Sequence, residues 1–346
     1  MFKPFVLLTI ALALAAPAAA SAQSSTADER AERAREAAES RAERAREAAE
    51  ARAERARDKA DRDRERQAES EERTRAGALD TTVTFDARGS LTVSCPGGEV
   101  TVTGSDRNEI KVRARTENGP IRFTSNGSRA TLETASGRGC SEGRFDVTVP
   151  AGTRLSASTW SGSVGIRGVH GEIEVRAQSG DITVRDAGDR VDVESLSGDV
   201  NIIGVKGETK VNTVSGSIEL GAARGDVTAE TVSGDILLSD VVARQVRVHT
   251  TSGDVGFNGP ILDGGRYEFT THSGTVTLGL PGDVGAELSV STFSGGIESD
   301  FPITLRAGEH GIGAAQAKHL SFTVGRGTAR IVAETFSGDI TLKRRH

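Results

Sequence analysis

Beyond its first residues the sequence has no long apolar run. The single stretch of that character, residues 6–16 within MFKPFVLLTIALALAAPAAASAQ, is too short for a permanent membrane span. It follows Lys3 and ends in Ala20-Ser21-Ala22 before Gln23, which predicts a signal peptide over residues 1–22. No cysteine follows the run to accept a lipid, and residues 341–346 form no hydrophobic tail. An exported protein is expected, in the periplasm or at the cell surface. Attachment to an envelope would be non-covalent or through a partner.

A large excess of one charge is also missing. The formal net charge is −6, or −7 once Lys3 leaves with the signal, which argues against nucleic acid as a partner. Cysteine is nearly absent. Cys95 and Cys140 are the only two, and in an oxidising compartment they are the disulfide candidate. Closing a loop of that size contributes about 4 kcal/mol in the chain-entropy model.

The signatures of site chemistry are missing too. Calcium-binding glycine-rich repeats carry G-G-x-G-x-D, which does not occur here. His249 and His272 have no third zinc ligand beside them in the repeat pattern. The dense carboxylate and Arg/Lys grouping of a polysaccharide-cleaving β-helix is not evident either. No catalytic residue, metal or cofactor is therefore expected, and the chain reads as a non-enzyme.

What is present falls into two blocks. Residues 23–78 are rich in Ala, Arg and Glu. RAERAREAAES begins at Arg30, RAERAREAAEA at Arg41 and RAERARDKADR at Arg52. The period is eleven, so alanines fall in the columns Ala31, Ala42, Ala53; Ala34, Ala45, Ala56; and Ala38, Ala49, Ala60. Eleven residues in three turns, about 3.67 per turn, predict a nearly straight α-helix. At 1.5 Å per residue it would extend roughly 75 Å. Its alanine stripe permits close pairing with other copies and hence a homo-oligomer. Alanine buries little apolar area, however, so a solitary solvated helix fits as well.

From residue 79 to 346 the composition turns to Gly, Thr, Val and Asp. Ser-Gly recurs at Ser161, Ser179, Ser197, Ser215, Ser233, Ser252, Ser273, Ser294 and Ser337. The period of 18 to 21 residues marks a stacked repeat. Four residues before the serine stand Val175, Val193, Val211 and Val248; three after it stand Ile182, Val200, Ile218 and Ile236. Polar residues alternate with these apolar columns, which predicts two short strands per repeat with one face buried. The expectation is an all-β fold, a β-solenoid of about twelve two-strand rungs, each covering the next. A rolled antiparallel meander would satisfy the same alternation.

The recurring Ser-Gly-Asp reads as a corner. Asp, Ser and Thr exchange at its third position, and each offers an oxygen to a backbone N–H while glycine permits positive φ. The residue before the serine, Trp160 or His272 for example, reads as packed corner filling; His249 reads as outward-facing. After the corner runs an outward column of low charge, in which Thr183, Asn201, Leu237 and Thr277 are candidate binding residues. Lys343, Arg344 and Arg345 would place charge on the final rung and discourage end-to-end pairing.

The segment FDVTVPAGTRLSASTWSGSV at residues 145–164, the following SGDI and SGDV rungs, and LGLPGDVGAELSVSTFSGGI at residues 278–297 resemble the bacterial putative-adhesin family of β-strand-repeat domains. The resemblance covers nearly all of residues 80–346 and implies a β-solenoid with an adhesive role and no catalytic residues. The charged helix and the irregular stretch 302–318 depart from that pattern. The leading functional expectation is an adhesin-like or envelope-scaffold protein that binds a cell-envelope or surface component, protein or polysaccharide. A self-assembling envelope rod, joined through the helix or the solenoid ends, is the rival. A carbohydrate-active enzyme is third.

Overall fold

The computed structural model describes residues 59, 77–116, 120–134, 143–302 and 318–345. The expected signal peptide, the body of the charged helix, Cys140 and most of the 302–318 stretch lie outside them. The described repeat region is all β, in two 13-stranded sheets whose strands are mostly parallel. Each rung places one strand in either sheet, as in a β-solenoid.

The reason these segments form strands is visible in any rung. In Val227–Ser233 the residues Val227, Ala229 and Thr231 are buried and alternate with more exposed neighbours; the following strand, Ile236–Ser239, buries Ile236 and Leu238. Neighbouring rungs pair in register: Ile173 lies opposite Val191, Val175 opposite Val193 and Ser179 opposite Ser197. The apolar columns of the sequence are thus physical columns, about 4.8 Å between members. Each fully buried Val or Ile stabilises the stack by about 1.5–3 kcal/mol relative to exposure. Toward the C-terminal part the core thickens around Phe257, whose ring lies 6.0 Å from Tyr267 and 5.1 Å from Phe269. The buried Tyr267 hydroxyl donates to the Ala243 carbonyl at 2.7 Å and accepts from the Leu262 N–H at 2.8 Å. Burial raises its pKa, with the Leu262 hydrogen bond opposing.

The order of rungs corrects the expectation that each covers the next. Arg154–Ser161 through Arg266–Ser273 do stack in sequence order, but both ends are interleaved. The last rung, Ala329–Ser337 with Ile340–Arg345, inserts between Arg266–Ser273 with Val276–Pro281 and Ala286–Ser294 with Ile297–Ser299. At the opposite end the earliest rung, Ser90–Gly97 with Glu99–Ser105, lies between Arg129–Thr134 with Gly143–Pro150 and Arg154–Ser161 with Val164–Arg167. Antiparallel strands close both sheets at one end, Ala78–Thr84 and Ile121–Ser125, and one sheet at the other, Lys318–Val324; the second sheet ends there in the short parallel strand Ile297–Ser299. Lys343, Arg344 and Arg345 therefore lie on an interior rung opposite Gly279, Leu280 and Pro281, and do not guard an end.

Two glycine-sensitive corners shape each rung. At the Ser-Gly-Asp corner Gly234 has φ 148°, and a Cβ there would lie 2.2 Å from the Gly216 carbonyl oxygen of the neighbouring rung. At the second corner Gly168, Asp186, Gly204, Ala222 and Asp240 occupy the left-handed region, with φ of 67°, 55°, 78°, 51° and 54°. Opposite responses follow at the two corners. Gly234→Ala should cost about 2–4 kcal/mol through backbone collision and strain. Ala222→Gly should add about 1 kcal/mol by removing a left-handed alanine. Urea unfolding midpoints of the two variants check both signs.

Candidate binding surfaces

The repeated segment is Thr-x-Ser-Gly-Asp, and each of its positions has a distinct place. The threonine points inward and is buried. Its hydroxyl donates to the corner glycine carbonyl of the adjacent rung: Thr231 to Gly216 at 3.3 Å, Thr250 to Gly234 at 3.2 Å, Thr271 to Gly253 at 3.0 Å. The inserted rung follows the same rule, with Thr335 donating to Gly274 and Thr292 to Gly338. Thr213 holds the same place with no hydrogen-bond partner for its hydroxyl. The aspartate also acts between rungs. Asp254 Oδ1 accepts the Thr275 N–H at 2.7 Å, Asp235 Oδ1 the Asp254 N–H at 2.8 Å, and Asp339 Oδ1 the Gly296 N–H at 2.6 Å. The corner reading holds, with the difference that the carboxylate serves the next rung instead of its own turn.

The position x corrects the expectation of corner filling. It lies on the outer surface, and in spatial order the column reads Trp160, Gln178, Leu196, Val214, Val232, Thr251, His272, Phe336 and Phe293. Trp160 is 65% exposed, Phe293 55%, Leu196 52% and Phe336 48%. The physical reason is parity: an inward threonine forces the next residue outward. The same alternation that sends Arg176 and Glu194 outward requires it for Gln178 and Leu196, two residues on. The result is a ridge nine rungs long with six apolar members, Trp160, Leu196, Val214, Val232, Phe336 and Phe293, interrupted by Gln178, Thr251 and His272, whereas exposed apolar residues are ordinarily scattered.

At one end of the ridge three rings form a pile. Phe293 and Phe336 stack at 4.8 Å and 3°, and His272 stacks on Phe336 at 4.9 Å and 10°. His272 is thus on the corner, as expected, but exposed. His249 lies in the outward column, opposite Glu230 on one side and Thr270 on the other. Rings piled along the stacking direction turn their faces to each other and their edges to solvent. Such a pile offers an apolar edge more readily than a flat platform for a sugar.

The other candidate surface is also assembled. Thr183 lies opposite Asn201, Asn201 opposite Glu219, Glu219 opposite Leu237, Leu237 opposite Gly256, and Gly256 opposite Thr277. Leu237 is exposed while Thr183, Asn201 and Thr277 are half-buried. The Leu237 side chain lies over Gly256, where a Cβ would come within 2.8 Å of its Cδ1. Asn201 Nδ2 donates to Glu219 Oε2 at 2.8 Å, leaving the Asn201 carbonyl oxygen buried without a partner. The face is low in relief but contains less apolar surface than the ridge.

Cys95 is buried in the strand Ser90–Gly97. That strand pairs directly with Arg129–Thr134, after which the chain leads to Cys140. Cys140 itself lies outside the described residues. Depressions of about 540 and 580 Å³ border Ala78–Thr84; in them Arg144 meets Glu99 at 2.6 Å and Arg113 meets Asp80 at 3.7 Å, and Arg115 and Asp146 also line them.

A family model described as Toastrack DUF4097 matches residues 74–343. No curated protein matches the sequence. Similar solved structures include a putative adhesin from Bacteroides fragilis, at 13% identity over 77% of this chain and 96% of that one, with a TM-score of 0.39. A putative adhesin from Parabacteroides distasonis is similar at 8% identity over 79% and 98%, with a TM-score of 0.32.

Trp160 is the only tryptophan, so its emission reports the ridge without labelling. Acrylamide should quench the native protein nearly as efficiently as the urea-unfolded chain. Strong protection in the native state would return Trp160 to the core.

Proposed function

The chain belongs to the Toastrack DUF4097 family, and from that premise we propose that it is an exported, non-enzymatic, adhesin-like binding protein of the cell envelope. It engages a protein or polysaccharide component of an envelope or surface along its length instead of enclosing a ligand in a pocket. The observation that carries this reading is the apolar ridge of Trp160, Leu196, Val214, Val232, Phe336 and Phe293. About half of each of these side chains stays in water, which forgoes on the order of 1 kcal/mol of burial apiece, a cost a partner would remove. The flat column through Thr183, Asn201, Leu237 and Thr277 is the secondary contact surface.

An enzymatic reading has weaker support. A glycoside-cleaving pair needs two carboxyl groups in contrasting environments, whereas Asp80 and Glu99 near the depressions each pair with an arginine and Asp146 lies opposite Arg113 across the strands. Self-assembly through the solenoid ends has weaker support than the ridge, since antiparallel strands cover three of the four described sheet edges and only the three-residue strand Ile297–Ser299 presents a parallel one.

The test is binding of the full mature chain, residues 23–346, to peptidoglycan, surface polysaccharide and whole cells. Two variants accompany it: Leu196→Ser/Val232→Ser/Phe336→Ser on the ridge and Thr183→Lys/Asn201→Lys/Thr277→Lys on the flat face. The ridge variant should keep its fold by circular dichroism and bind at least about tenfold more weakly, with a smaller loss for the face variant. Undiminished binding by the ridge variant, or no binding by the parent chain, would overturn the reading.

A further inference from the structure

The ridge is bordered by negative charge. Around the corner from it runs the column Asp181, Asp199, Asp235, Asp254 and Asp339, all exposed. On its sheet side, two residues away, the outward column holds Glu194, Glu230 and Glu334, opposed by Arg176, which is already engaged by Glu174 and Glu194. A partner matched to this surface would present a narrow apolar stripe with positive borders. It would need to run straight for about 38 Å, the length of eight rung steps at about 4.8 Å.

The eleven-residue repeat encodes such a partner. Eleven residues in three turns place successive side chains about 98° apart, which gathers the three alanine columns into one stripe about 65° wide. On the same helical wheel Arg30, Arg41 and Arg52 border the stripe on one side, and Arg35, Arg46 and Arg57 border it on the other. Glu32, Glu43 and Glu54 fall on the back. Residues 30–62, written as a helix, extend about 50 Å, enough to follow the whole ridge. Small alanines would let the helix axis approach the protruding Leu196, Val214 and Val232 closely. We infer that the arginine-bordered alanine stripe of residues 30–62 in a second copy of this chain docks along the Thr-x-Ser-Gly-Asp ridge.

The contact joins two different surfaces, so it builds closed rings or open chains of molecules. It rests on the reading of the ridge as a binding surface and names its occupant. The borders are exposed ion pairs, so the association weakens as salt screens them.

The test uses the mature chain, residues 23–346, in analytical ultracentrifugation with Trp160 emission recorded on the same samples. The expected result is association that grows with concentration, a shift of Trp160 emission to shorter wavelength, and weakening of both at about 0.5 M salt. Arg35→Glu/Arg46→Glu/Arg57→Glu and, separately, Leu196→Ser/Val232→Ser should each leave a monomer with the emission of exposed tryptophan. A parent chain that stays monomeric up to about 100 µM, where even weak specific contacts populate, would overturn the inference. Association that survives either variant would overturn it as well. Because the arginine variant leaves the ridge intact, its binding to envelope polymers separates the two ideas: retained binding without self-association sinks only the self-docking contact.

Discussion

The structure depends on one constraint, the parallel in-register stacking of the Thr-x-Ser-Gly-Asp corner. The corner makes three demands at once. Glycine must leave room for the neighbouring carbonyl, the inward threonine must reach that rung's glycine oxygen, and the aspartate must reach its N–H. These bonds lie at the point where each rung turns between sheets and the regular ladder is interrupted. At Thr231, Thr250, Thr271, Thr292 and Thr335 the buried hydroxyl is satisfied in this way, whereas the unpaired Thr159 and Thr213 hydroxyls each cost about 1–3 kcal/mol.

The same constraint accounts for the interleaved ends. Any rung that presents the corner in register fits against any other, so the last rung is accepted between two earlier ones with the same bonds as its sequential neighbours: Thr335 to Gly274 and Thr292 to Gly338. The final strands become interior strands with partners on both sides, which protects them from fraying. Of the described edges, three fall to antiparallel strands and the fourth to the three-residue parallel strand Ile297–Ser299, short edges that blunt end-to-end growth.

Much of this was legible in the sequence, because stacking imposes one environment on each column and so one residue type. The two strands per rung, the buried Val and Ile columns, the corner and the column from Thr183 to Thr277 all follow from period and parity. The order of rungs did not, and for a physical reason: identical corners cannot encode which rung neighbours which. Trp160 and His272 read as corner filling because their column is mostly apolar, and parity overrides that. The inward threonine before each of them was the available signal that they face outward.

Function follows from repetition in the same way. A corner that fixes threonine inward exposes x on every rung, so an apolar choice at x becomes a ridge, and the aspartate that bonds the next rung also gives the ridge a negative border. The most direct test of the stacking order pairs His272→Cys with either Phe336→Cys or Phe293→Cys and oxidises mildly, with peptide mass identifying the bond. The order described here places Phe336 between the other two, so His272→Cys/Phe336→Cys should cross-link and His272→Cys/Phe293→Cys should not. The reverse pattern would mean that the rungs stack in simple sequence order and would contradict the account.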